Sequence, residues 1–251
     1  MITHPLQPKL RQLKLSGMLQ TLELRASQAM ERQLSPVEFL ALLLDDELER
    51  RSQQRLSRRL AYSGCDSAKT LVHFDFSAAP GVNRTLIQDL ATCAFIPRHE
   101  NILLCGPTGV GKSHLANAVA IEALKRDFRV LSRPTHRLLT ELHAARANGA
   151  HACLFARLLN CDLLVLDDFG LQALPAQAVQ DLYEIITERY EHGSLIITSN
   201  RAFEEWAEIF NNDLLASAAL DRLTHHAHTL IIRGDSYRQR NRRKEAAPLT
   251  T

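Results

Sequence analysis

Gly106-Pro-Thr-Gly-Val-Gly-Lys112-Ser113 fits the pattern GxxxxGK[ST]. Residue types in that spacing hold phosphate groups. Glycines at 106, 109 and 111 let main-chain N–H groups turn inward, and the N-terminus of a following helix adds its positive dipole end. Lys112 can reach the β- and γ-phosphates, and Ser113 can ligate Mg²⁺. The run from Gly106 through Pro107, Thr108, Gly109, Val110, Gly111, Lys112 and Ser113 to His114 is therefore the expected nucleotide-binding segment, with ATP and Mg²⁺ as cofactors. An apolar run precedes it and a helical pattern follows, which is the context the motif requires.

Four further residues complete a candidate hydrolytic site. LLVLDDFG (163–170) places two carboxylates at the end of an apolar run. Asp167 is expected to orient Mg²⁺, and Asp168 to position or deprotonate an attacking water. Aspartate at the second position is one methylene shorter than the glutamate common in such ATPases, which points to slow, assembly-coupled hydrolysis. SLIITSN puts Asn200 just past another apolar run, where its amide can bond the water or sense the γ-phosphate. Arg222, in ALDRL, is the candidate finger that would stabilise transition-state charge in a neighbouring subunit. The catalytic set expected from the sequence is thus Asp168, Asn200 and Arg222, with Ser113 and Asp167 on the metal.

These residues need a scaffold, and the hydropathy pattern supplies one. Short apolar runs at 101–105, 128–132, 163–167, 194–199 and 229–233 alternate with helical stretches at 112–127, 134–147, 150–159 and 175–192. Apolar runs between helices indicate parallel strands covered on both faces, so the expected fold is a doubly wound α/β sheet. Ligands are expected at the carboxyl ends of its strands. Residues 1–66 form an expected all-helical N-terminal domain: leucines and Met18 recur at helical spacing, and Ser35, Pro36 and Glu38 open a long helix with a capping box. Turn formers over 67–84 mark a linker, leaving 85–251 as the nucleotide domain with a basic C-terminal tail.

Composition constrains the rest. A net charge of +2 in 251 residues argues for no partner by itself, although 24 of the 30 basic residues are Arg. Five cysteines without a CxxC pair offer no metal or disulfide framework. His225, His226 and His228 are grouped but show no tetrahedral spacing, and read as polar or packing residues. The N-terminus lacks the apolar core of a signal peptide and no run reaches the roughly 20 residues of a membrane span, so a cytoplasmic location and no membrane partner are expected. Positive charge concentrates in two places. Arg50, Arg51, Arg55, Arg58 and Arg59 lie on the long helix, with 51, 55, 58 and 59 expected on one face, as a candidate DNA-binding patch. Arg238, Arg240, Arg242, Arg243 and Lys244 crowd the tail.

The order and spacing of these elements resemble an AAA+ ATPase. The nearer resemblance is to IstB-like proteins, ATP-binding helpers of insertion-sequence transposition and relatives of the DnaC helicase loader. It rests on LKLSGML (13–19), DFSAAPGVNRTLIQDLA (75–91), ENILLCGPTGVGKSHLANAVA (100–120), LLVLDDFG, LIITSN and LDRLTHHAHTLIIRGDSYR (220–238). The resemblance implies an AAA+ core with a five-stranded parallel sheet behind a small helical domain. It implies oligomerisation with ATP on duplex DNA and assistance to the transposase of the same element, while the lack of a base-reading signature such as a zinc finger points to DNA contact mostly without sequence preference. A helical lid is expected to be short or absent, with Arg238 a weak stand-in for its sensing arginine. The rival reading is a DnaC-type loader, favouring single-stranded DNA and a helicase. A small-molecule kinase fits less well, because PTHRLLTELHAARANG (134–149) reads as helix and offers no acceptor pocket.

Overall fold

The computed structural model describes residues 5–172, 174–234 and 236–237. The chain divides into two compact units, Met1–Arg58 and Arg59–Thr251. The division falls inside a helix, earlier than the expected boundary at 66, and residues 67–84 belong to the second unit rather than forming a free linker.

In the first unit lie α1 (Gln7–Gln12), α2 (Ser16–Glu31) and the opening of α3 (Pro36–Ser63). The capping box forms: Ser35 N–H donates to Glu38 Oε2 at 2.7 Å and Glu38 N–H to Ser35 Oγ at 3.3 Å. Helix α2 has Leu15 at its N-cap, which offers no acceptor. Buried Glu47 of α3 takes that role, receiving Gly17 N–H at 2.6 Å and Met18 N–H at 3.3 Å. Burial works against its charge, but Arg51 and the two amides outweigh it and hold the carboxyl below its usual range. Met18, Leu22 and Leu43 form the small core, with Leu10, Leu15 and Phe39 against it.

The second unit holds α4 (Arg84–Leu90), β1 (Asn101–Cys105), α5 (Lys112–Lys125), β2 (Val130–Pro134), α6 (Thr135–Ala147), α7 (His151–Leu159), β3 (Leu163–Phe169), α8 (Ala176–Arg189), β4 (Ser194–Ser199), α9 (Ala207–Phe210), α10 (Asp213–Thr224) and β5 (Ala227–Ile231). All four pairings are parallel, in the order β2-β3-β4-β1-β5. Alternate strand residues serve opposite faces. Leu103, Cys105, Leu164, Leu166, Leu195 and Ile197 pack with α6, α7, α8 and α10. Ile102, Leu104, Val165 and Ile196 are equally buried on the other face, where α5 crosses the sheet. Strand β2 starts two residues later than expected because Asp127 takes a left-handed φ of 70° and Phe128 N–H returns to Ala123 O, ending α5. Strand β5 runs over 227–231 instead of 229–233, its start tied to β1 by Asn101 N–H on His226 O at 2.7 Å. Among the described residues no helix is long and apolar enough to cross a membrane.

Candidate nucleotide site

The order β3-β4-β1 brings three separate sequence motifs to one edge of the sheet. Cys105, the last residue of β1, is in register with Ser199, the last of β4, so Gly106 and Asn200 leave adjacent strands side by side. Gly106 N–H donates to Ser199 O at 3.2 Å. Gly106 needs its φ of 148°, since a Cβ there would collide with the Ile232 carbonyl. Gly111, with φ 99°, is the N-cap of α5 and supplies no capping side chain. The first amides of a helix that is 14 residues long are thus left to an anion.

Lys112 is buried, and its ammonium donates to Gly106 O at 2.7 Å and Pro107 O at 2.8 Å. Burial pushes its pKa down from the ordinary lysine value, while the charges of Asp168 and Asp167 push it up. Both carboxylates are therefore near enough to act on the loop lysine. Val110 is buried and contributes only main chain to the loop; Pro107 and Thr108 are exposed, and Gly109 and Ser113 are half-buried. The ring of His114 turns away, with Nε2 2.8 Å from Thr70 O and its face edge-on to Phe74. Among the expected binding residues it therefore offers the loop its amide rather than its side chain.

Thr198 organises the acidic pair. Its hydroxyl donates to Asp167 Oδ1 and accepts Asp168 N–H at 3.0 Å. Asp168 is exposed, with a left-handed φ of 54° at a break in the β3–β4 register. The chain kinks there, so two consecutive residues can both point toward the loop instead of to opposite faces. Thr135 Oγ1 fixes the Asp167 carbonyl at 3.0 Å. Sequence reading passed over Thr198, although a hydroxyl near the end of an otherwise apolar strand was its visible signal.

Two segments outside the motifs close on the loop. The Phe74 ring lies where a Cβ on Gly111 would come within 2.7 Å. Asn117 of α5 holds the same segment through Asp66 N–H, Asp66 O and Lys69 O at 2.8 to 2.9 Å. From the other side, Tyr237 N–H donates to Gly109 O at 3.0 Å. Tyr237, in the segment after β5, therefore touches the phosphate loop directly; Asp235, Arg238 and the basic tail lie outside the described residues.

Arg222 sits at the opposite end of the sheet. The next residue, Leu223, accepts Asn101 Nδ2 at 3.1 Å, and Asn101 is the first residue of β1. Five strand steps separate Asn101 from Gly106, roughly 17 Å. Arg222 donates to Ala218 O at 2.8 Å within its own helix and lies over the Tyr183 ring. Among the described residues no carboxylate forms a salt bridge with it.

Arg51, Arg55, Arg58 and Arg59 are carried on α3 at spacings of three and four, along one side of the helix, but two of them are already engaged. Arg51 is tied to Glu47 at 2.7 Å, and Arg59 to Asp127. Within the first unit, Arg50 and Arg58 line a groove of about 580 Å³ together with the carboxylates Asp46 and Glu49 and the polar Gln20, Gln53, Gln54 and Ser57. Spacings of three, four and seven along α3 select that polar stripe. Arg55 is exposed and outside the groove lining.

A parallel sheet in this order, carrying its glycine-rich loop after β1 and its acids at the carboxyl end of β3, defines a P-loop domain of the AAA+ type. The fold is shared with the DnaC helicase loader (TM-score 0.52, 22% identical, covering 59% of this chain and 87% of that one). It is shared also with AMPPCP-bound DnaA from Aquifex aeolicus (TM-score 0.56, 21% identical, 72% and 56%). At those identities the likeness speaks for the fold alone. The chain belongs to the IstB-like ATP binding protein family, whose model matches residues 8–245. It is 37% identical over 241 residues to a protein of insertion sequence IS21 from Pseudomonas aeruginosa named for ATP binding, spanning 96% of this chain and 91% of that one. A similarly named protein of IS5376 from Geobacillus stearothermophilus is 36% identical over 218 residues, 87% of each chain.

Proposed function

We propose that this protein is an ATPase that assembles on duplex DNA in response to ATP and assists the transposase of its insertion sequence. The observation that carries the reading is the division of labour across one sheet: loop, acids and Asn200 at one edge, Arg222 at the other. An arginine roughly 17 Å from its own loop serves a nucleotide held by another copy.

The loop amides and Lys112 bind the phosphates, Lys112 exchanging its two carbonyl partners for phosphate oxygens. Ser113 and Asp167 fit Mg²⁺, which would neutralise charge on the β- and γ-phosphates. Asp168 and Asn200 orient a water for attack at the γ-phosphorus. The new P–O bond forms as the bond to the β-phosphate oxygen breaks, giving ADP and inorganic phosphate, with the water proton passing to Asp168 or solvent. Arg222 of a neighbouring subunit stabilises the charge that develops. Arg50 and Arg58 supply phosphate contacts of the kind that grip DNA without reading bases. The names of the IS21 and IS5376 relatives support the insertion-sequence context.

The test is sedimentation of the full chain with 60-mer-scale duplex and single-stranded DNA, with and without ATP. Large ATP-dependent complexes on duplex are expected. A preference for single strands would move the reading to a helicase loader, and no DNA binding in either state would refute both.

A further inference from the structure

Two turns at the amino-terminal edge of the sheet bring together three side chains that the nucleotide chemistry does not use. Glu191 lies in the turn from α8 to β4; His225 and His226 lie in the turn from α10 to β5. Each offers one ligand atom, and these atoms all lie within 4.8 Å of one another. We propose that Glu191, His225 and His226 form a binding site for a divalent transition ion of the Zn²⁺ class.

Two imidazoles and a carboxylate make a donor set suited to Zn²⁺ and its first-row neighbours, and unsuited to Ca²⁺ or Mg²⁺, which take oxygen ligands. The backbone under each ligand is fixed. Glu191 holds a left-handed φ of 60°, and the amides of His192 and Gly193 both return to Arg189 O at 3.0 Å. Arg189 is itself buried and anchored to Leu158 O, Cys161 O and Ser194 O. His226 is pinned through its carbonyl to Asn101 at the start of β1, and His225 N–H closes on Asp221 O at 3.0 Å. Only the exposed side chains remain to adjust. Ligand atoms around tetrahedral zinc stand about 3.4 Å apart, so small rotations close the set.

The outer contact is also in place. Tyr190 Oη lies 2.8 Å from His225 Nδ1. With Nδ1–H donated to the phenol oxygen, Nε2 is left with its lone pair for the metal, and the ring is held in orientation. His228, the third histidine of the sequence cluster, takes no part: its Nε2 is 2.8 Å from Glu100 Oε2. A water would fill the fourth position. Glu191 and His226 line the same cleft as Arg222, so a bound ion would pin the two turns that flank the arginine. The site itself depends on neither the ATPase nor the DNA reading.

The experiment is titration of the metal-free full chain with Zn²⁺ against a chromophoric chelator, with Co²⁺ visible absorption to report the ligand geometry. One ion per chain is expected, weakened by about tenfold or more in His226→Ala and in Glu191→Gln, and less in Tyr190→Phe. Glu191 and His226 are exposed and Tyr190 is half-buried, and the variants should match the parent in circular dichroism and ATP binding. Failure of the parent to bind Zn²⁺ at low-micromolar concentration would overturn the site. So would undiminished binding in both ligand variants, which would assign the ion to other histidines or cysteines.

Discussion

Thr198 is a single hydroxyl on which two acidic residues depend. It accepts the amide of Asp168 and donates to the carboxylate of Asp167, so it sets both the backbone kink and the direction of the pair. Valine has nearly the same shape but can do neither. Thr198→Val is expected to leave a half-buried N–H without its acceptor, costing about 1–3 kcal/mol. ATP hydrolysis should fall on the order of tenfold or more, because the water-positioning carboxylate loses its fixed place. ATP affinity, which rests on the loop and Lys112, should barely change. Steady-state hydrolysis beside equilibrium binding of a fluorescent ATP analogue separates the two, and equal losses in both would show that Thr198 supports the loop instead.

At the scale of elements, the contact between α2 and α3 decides the first unit. A Cβ on Gly17 would come within 2.7 Å of Glu47 Cα and 2.8 Å of the Asp46 carbonyl. Alanine gains about 1 kcal/mol of helix propensity over glycine. Backbone atoms cannot yield as a flexible side chain does, and separating the helices also pulls Glu47 from the amides that it caps. Gly17→Ala is therefore expected to destabilise the pair by about 1–3 kcal/mol net. Hydrogen exchange should show α2 amides losing protection while those of β1 and β3 keep theirs. Unchanged α2 protection would mean that the helices accommodate the methyl group.

For the whole molecule, the proposed role of Arg222 in a neighbouring subunit's site would make assembly and chemistry one event. Arg222→Ala should bind ATP like the parent but lose ATP-dependent oligomers and most hydrolysis, a deficit on the order of a thousandfold in rate if the finger acts as in other phosphoryl-transfer systems. Light scattering with ATP, beside the binding curve, checks this; normal assembly would sink the trans assignment. The proposed DNA contact belongs to the same scale. Each phosphate contact adds about 0.9 to the slope of log affinity against log salt, so replacing Arg50 and Arg58 together should flatten it by about 1.8. Arg51→Ala should matter less to DNA, because Glu47 already holds that guanidinium.

What the sequence by itself determined was whatever is encoded locally. GPTGVGKS declares its loop because glycine spacing and flanking hydropathy are contiguous, and Ser35-Pro-Val-Glu38 declares its cap for the same reason. The alternation of apolar runs with helical stretches was enough for a parallel sheet behind a helical N-terminal region. Only the tertiary structure decided which ends of which strands meet. Strand order set Asn200 beside Gly106 and carried Arg222 to the far edge. Packing of α3 beside α2 made the groove that Arg50 and Arg58 line with Asp46 and Glu49. The same distance from sequence to space separates the histidine spacing, which holds no tetrahedral set, from the cluster that Glu191 completes across two turns. Side chains on different strands share no period, so their meeting is a property of register and of the turns that fix it.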